Sequence, residues 1–157
     1  DTHGNNFVCL KDVLLPELDR CFTALLDDLS ERGLLDQTLV MVNSEMGRKP
    51  KIGDPRSNGV KGAGRDHWTA CQSIVLAGGG IRGGQTFGKT DEFAEYPVEK
   101  IMGPENIAHT VYHAMGIHDL TAYDSQTVLT SFSNAESRST PCCEIVEPVG
   151  SKNSADR

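Results

Sequence analysis

Thr38-Leu39-Val40-Met41-Val42 runs straight into Asn43-Ser44-Glu45-Met46-Gly47-Arg48, and the reading of the fold turns on that junction. Apolar and β-branched residues in unbroken succession, without polar alternation, have the pattern of a short strand covered on both faces, as in a parallel sheet. The polar stretch after Val42 would then lie at the strand's carboxyl end, where open α/β sheets gather their ligands. Gln72-Ser73-Ile74-Val75-Leu76-Ala77 repeats the pattern and ends in Gly78-Gly79-Gly80. This glycine run continues to Gly84 without the Lys-Ser/Thr of a phosphate-binding loop, so it reads as a turn.

On either side the period changes. Leu14, Leu15, Leu18, Phe22, Leu25, Leu26 and Leu29 fall on one helical face, with Asp19, Arg20, Asp27 and Asp28 on the other. Pro16 fits only in a first turn, which predicts a start near Leu14 or Leu15, and Gly33 predicts a left-handed stop after Arg32. Pro104-Glu105-Asn106 opens a second helix, with Ile107, Ala108, Val111, Tyr112 and Met115 as its buried stripe and Gly116 as its end. Thr86 to Thr90 and Tyr96 to Lys100 suggest a small antiparallel excursion. Helices alternating with buried strands predict a three-layer α/β/α sandwich, with helices on both faces of a mostly parallel sheet. Residues 1–126 would form this domain, and 127–157, rich in Ser, Asn, Glu and Pro, a disordered tail.

Composition narrows the class. The chain has 157 residues, of which 38% are hydrophobic and 24% charged, as in an ordinary folded protein. Its net charge of -7 comes with scattered Lys and Arg, which argues against nucleic acid as a partner. No apolar run reaches the roughly 20 residues that a membrane-spanning helix needs. The five cysteines are odd in number and irregularly spaced, matching neither a zinc knuckle nor a disulfide framework. Cys9, Cys21 and Cys71 read as small buried hydrophobes, and the adjacent Cys142 and Cys143 lie in the polar tail.

Three polar clusters stand at the ends of apolar runs: Asp1-Thr2-His3-Gly4, Ser44 to Arg48, and Gly64-Arg65-Asp66-His67-Trp68. Asp1 and His3 are two apart, so in extended backbone their side chains leave the same face. With Glu45 and His67 they make a plausible ligand set of two carboxylates and two imidazoles, which suits Zn²⁺ or Mn²⁺ ahead of Ca²⁺. Arg48 and Arg65, with planar guanidinium forks, are candidates for holding an oxyanion, and Asp66 for orienting a metal ligand. His109, His113 and His118 read as structural.

The order of the motifs resembles a family. Asp-Thr-His-Gly-Asn, Arg-Gly-Leu-Leu-Asp-Gln-Thr-Leu-Val, Glu-x-Gly-Arg-x-Pro, Gly-Arg-Asp-His-Trp, Leu-Ala-Gly-Gly-Gly-Ile-Arg-Gly-Gly and Pro-Glu-Asn-Ile-Ala-x-Thr-Val-Tyr-His-Ala-Met-Gly-Ile are similar to the carboxyl-terminal half of a bacterial, sulfatase-like domain of unknown function. The resemblance places it in the alkaline phosphatase superfamily and covers Asp1 to about Gln126. It implies metal ligands at Asp1, His3, Glu45 and His67, with a periplasmic or secreted location for the full-length protein. It also implies hydrolysis or transfer at phosphate or sulfate esters, with a nucleophile upstream of Asp1. Met46 departs from the pattern, standing where such hydrolases often place a His or Asn. The Cys-x-Pro-x-Arg signature of sulfatases is missing.

The functional expectation is a fragment of a metal-dependent hydrolase of small anionic esters, inactive by itself. The alternatives are a non-catalytic binding or surface-associated module with a decayed site, which Met46 favours, and a nonfunctional gene remnant.

Overall fold

The computed structural model describes residues 2–53, 64–117, 121–122 and 130–131. Helix α1 (Asn6–Cys9) passes through a π-helical turn (Leu10–Leu14) into α2 (Leu15–Glu31). Pro16 therefore lies inside a helical run rather than at its start, directly after the π turn, where the regular i→i−4 ladder that proline cannot complete is already interrupted. The other end closes as a Schellman motif: Gly33, at φ 66°, donates its N–H to Ser30 O, and Leu34 N–H reaches Leu29 O at 2.8 Å. The amphipathic spacing located α2 but not the helical lead-in before it.

Strand β1 (Val40–Val42) pairs with β4 (Val75–Ala77) in antiparallel register, Val40 opposite Ala77 and Val42 opposite Val75. Between them, β2 (Gly47–Arg48) and β3 (His67–Trp68) form a second antiparallel pair. The arm they belong to is extended by Lys49 N–H to Asp66 O and Gly53 N–H to Gly64 O. β5 (Lys89–Thr90) pairs with β6 (Pro97–Glu99), the excursion anticipated from sequence. Then come α3 (Pro104–Ala114) and the pair β7 (Thr121–Ala122) and β8 (Thr130–Ser131). β8 lies beyond Gln126.

The expected three-layer α/β/α sandwich with a mostly parallel sheet is therefore not what forms. Among the described residues every sheet is a two-stranded antiparallel pair. Two parallel neighbours need a crossover of a dozen or more residues, usually a helix. Here the described chain between Val42 and Val75 folds into the β2–β3 arm instead, and brings β4 back antiparallel. A short apolar run cannot by itself distinguish these two outcomes.

Burial follows the same correction. No large apolar side chain among the described residues is fully buried: Val75 in β4 and Leu15, Leu18 and Leu25 on α2 are exposed. On α3 the anticipated stripe is half-buried at Ile107 and Val111, whereas Tyr112 and Met115 are exposed. The buried residue of that helix is Thr110, whose hydroxyl donates to Asn106 O at 2.8 Å. Cys21 is exposed, and Cys9 and Cys71 are half-buried free thiols. Cys142, Cys143 and His118 lie outside the described residues.

Two devices position the site. Gly78, at φ 71°, lies so close to the Leu35 and Thr38 carbonyls that an added Cβ would collide with both, which pins the end of β4 to the turn entering β1. Trp68 donates its indole N–H to Glu95 O at 2.7 Å and meets the Tyr96 ring edge-on at 5.6 Å. That contact ties the β2–β3 arm to the β5–β6 pair. Among the described residues no helix is long and apolar enough to cross a membrane.

Candidate metal centre

His3 and His67 come from distant parts of the chain and meet with ring centroids 4.6 Å apart, tilted by 54°. His3 stands just before α1; His67 opens β3, directly across the ladder from Arg48. Asp66 completes the group. Its Oδ1 accepts the backbone N–H of His67 at 2.8 Å and lies 3.9 Å from His3 Nε2. The hydrogen bond to the following amide keeps this short carboxylate turned toward both imidazoles.

One ligand atom from each of His3, Asp66 and His67 falls within 4.8 Å of the others. Neighbouring ligands around a tetrahedral ion with bonds of about 2.1 Å lie roughly 3.4 Å apart. Small side-chain rotations close that difference, because His67 is exposed and His3 and Asp66 are half-buried. Two neutral imidazoles and one carboxylate match the donor set of zinc and of several other divalent transition ions.

Glu45 lies outside this trio but within its field. Its own backbone N–H, the Ser44 hydroxyl at 3.2 Å, and the charges of His67 and Arg48 hold its carboxyl below the usual range. Glu45 is exposed and not among the trio's ligand atoms. Asp1 is outside the described residues.

The arginines anticipated as oxyanion holders clasp each other's backbone. Arg65 donates from Nε to Lys49 O at 2.7 Å and from Nη2 to Arg48 O at 2.9 Å. Arg48 Nη1 returns a longer bond to Arg65 O at 3.4 Å. Partial burial and the neighbouring Arg48 charge lower the Arg65 pKa, yet a guanidinium stays charged at neutral pH. Its Cζ lies 5.7 Å from the centre of the Phe7 ring, within cation–π range. The sequence reading missed Phe7. It also missed Asn6, a fully buried residue whose side-chain amide has no hydrogen-bond partner among the described residues. Neither belongs to a spacing pattern that could have singled it out.

His3 and His67 are thus brought together, with Asp66 beside them. Arg48 stands across the ladder from His67, Glu45 is not among the trio's ligand atoms, and His109 and His113 stack on each other along α3 at 6.4 Å. Such a trio can hold a cation; Arg48, across the ladder from His67, adds positive charge on that face, whereas the Arg65 guanidinium is engaged on backbone carbonyls and the Phe7 ring.

No curated protein and no solved structure matches the chain. Nothing in these comparisons links it to the sulfatases or the alkaline phosphatase superfamily, so the assignment drawn from motif order is withdrawn. The family model that does match is described as "Protein of unknown function (DUF1501)" and covers residues 1–134. The chain belongs to that family.

Proposed function

We propose that His3, Asp66 and His67 hold a divalent ion, Zn²⁺ or Mn²⁺, at which a phosphate or sulfate ester is hydrolysed. The supporting observation is the convergence of these three donors from two distant segments. A bound divalent ion would polarise the ester and make a water molecule more acidic. Arg48, across the ladder from His67, adds fixed positive charge on that face, which favours an anionic head group. Asp66 accepts the His67 backbone N–H while lying close to the His3 ring.

Calorimetry with Zn²⁺ and Mn²⁺ tests the first half. Removing one of three ligands is expected to weaken binding by at least the 10–100-fold typical of losing an outer partner. Equal binding by the wild-type chain, His3→Ala and His67→Ala would overturn the site. Hydrolysis of aryl phosphate and aryl sulfate by the metal-loaded chain tests the second half.

A second reading, a metal-stabilised binding module without turnover, draws on the Arg65 clasp. A guanidinium that bonds two backbone carbonyls serves the arm's structure first. Metal binding with no hydrolysis of either ester class would favour it.

A further inference from the structure

His109-Thr110-Val111-Tyr112-His113 sets two imidazoles four residues apart on α3. Side chains at that spacing are neighbours on one helical face. It is the spacing of the zinc-binding His-Glu-x-x-His helix, in which both imidazoles hold the ion and the Glu serves as general base. Thr110 stands where that Glu would. It is buried, and its hydroxyl is engaged on Asn106 O. The pair therefore has the two ligands of such a helix without its base.

The rings are within reach of one ion. Their centroids lie 6.4 Å apart. With bonds of about 2.1 Å, a shared ion would hold the ring centres roughly 5 Å apart in tetrahedral geometry and roughly 6.5 Å apart in linear geometry. The observed separation falls inside that span, and a modest turn of either half-buried side chain shortens it.

His109 Nδ1 supplies an independent observation. It is shielded from solvent and has no hydrogen-bond partner among the described residues. A buried polar atom in that state calls for a water or an ion. No acceptor is there for a proton, so the neutral ring keeps its hydrogen on Nε2 and leaves Nδ1 a bare lone pair, the form that takes a metal. Glu105 lies one turn earlier on the same side of the helix, but its carboxylate rests against Gly103. The remaining coordination positions then fall to water. Two imidazoles with open positions favour Cu²⁺ over Ni²⁺ and Zn²⁺, following the general order of affinity.

We infer that His109 and His113 form a separate site on α3 that chelates a divalent transition ion, Cu²⁺ most tightly, and holds it without hydrolytic chemistry. The site uses none of His3, Asp66 and His67, and it stands or falls apart from that trio.

The test uses the 157-residue chain carrying His3→Ala and His67→Ala, so that the trio cannot take the ion. Cu²⁺ below one equivalent should broaden the NMR signals of His109 and His113 ahead of all others. Calorimetry should show binding that His109→Ala or His113→Ala weakens by about tenfold or more, the least that even an outer partner of a metal contributes. His113→Ala combined with Met115→His keeps the number of rings but breaks the spacing, at an exposed position. It should weaken binding as much as His113→Ala alone. Unchanged affinity in either single variant would overturn the inference. So would full affinity in the variant with the moved ring, or broadening that begins elsewhere in the chain. Amide exchange along α3 in the metal-free variants shows that the helix itself is intact.

Discussion

Arg48 stands directly across the β2–β3 ladder from His67. Side chains at paired positions of an antiparallel ladder share a face, with Cβ atoms about 5 Å apart. A permanent cation is thus set beside a candidate metal ligand by backbone register alone. Such a neighbour opposes a bound cation unless a carboxylate offsets it, and Asp66 is a carboxylate beside both imidazoles. Arg48→Met should therefore strengthen Zn²⁺ binding while weakening phosphonate binding. Paired titrations of both ligands check the opposite signs.

Asp66 has two jobs that can be separated. Asp66→Asn keeps an oxygen for the His67 N–H but removes the charge, so it should preserve the β2–β3 pair and weaken Zn²⁺ binding by about 10–100-fold. Asp66→Ala loses both, and should in addition increase amide exchange at His67. Hydrogen exchange on the two variants distinguishes them.

The Glu45 carboxyl is lowered by its own amide, Ser44 and the charges of His67 and Arg48. A depressed folded-state value contributes stability that is present above the unfolded value and lost as pH falls through the folded one. Because Glu45 is exposed, that contribution is small and the readout is the titration itself. In Ser44→Ala the Glu45 carboxyl should titrate at higher pH than in the wild type, as carbon-detected NMR would record.

Gly47 is a steric requirement. An added Cβ would meet the Cys71 carbonyl oxygen in the backbone, at a separation that atoms do not adopt. Gly47→Ala should displace the arm, costing about 1–3 kcal/mol as overpacking does, and should weaken Zn²⁺ binding because Arg48 and His67 move with it. Urea denaturation and calorimetry measure the two effects.

Asn6 is buried with neither side-chain amide atom hydrogen-bonded among the described residues. An unsatisfied buried group costs about 1–3 kcal/mol, and a similarly sized apolar one avoids that cost. Asn6→Leu is therefore expected to stabilise the chain by about 1 kcal/mol, seen as a higher urea midpoint with an unchanged slope.

Elements whose signals are local were legible without coordinates. The leucine spacing with Pro16 and Gly33 marked α2. Pro104 and Gly116 marked α3, and the β5–β6 excursion followed from short strand-like runs around a turn. The parallel sheet was not legible, because Val40-Met41-Val42 reads the same whether its neighbour runs with it or against it. Direction is decided by what connects the strands. The buried stripe of α3 failed for a related reason: periodicity shows that Ile107, Val111 and Tyr112 share a face, and says nothing about what covers that face.

At the site, the residue types were visible in advance: His3, Asp66 and His67 are imidazole and carboxylate side chains beside apolar runs, and such chemistry is written in single letters. Their grouping was not. The sequence does not show that Asp66 lies beside both imidazoles, nor that the Arg65 guanidinium bonds the Lys49 and Arg48 carbonyls. The chain's amino-acid order by itself determined α2, α3, their closing turns and its supply of ligand atoms, because these depend on neighbours within a few residues. Only the tertiary structure decided which side chains meet and that the strands pair antiparallel. Those facts depend on contacts between segments that no short-range pattern encodes.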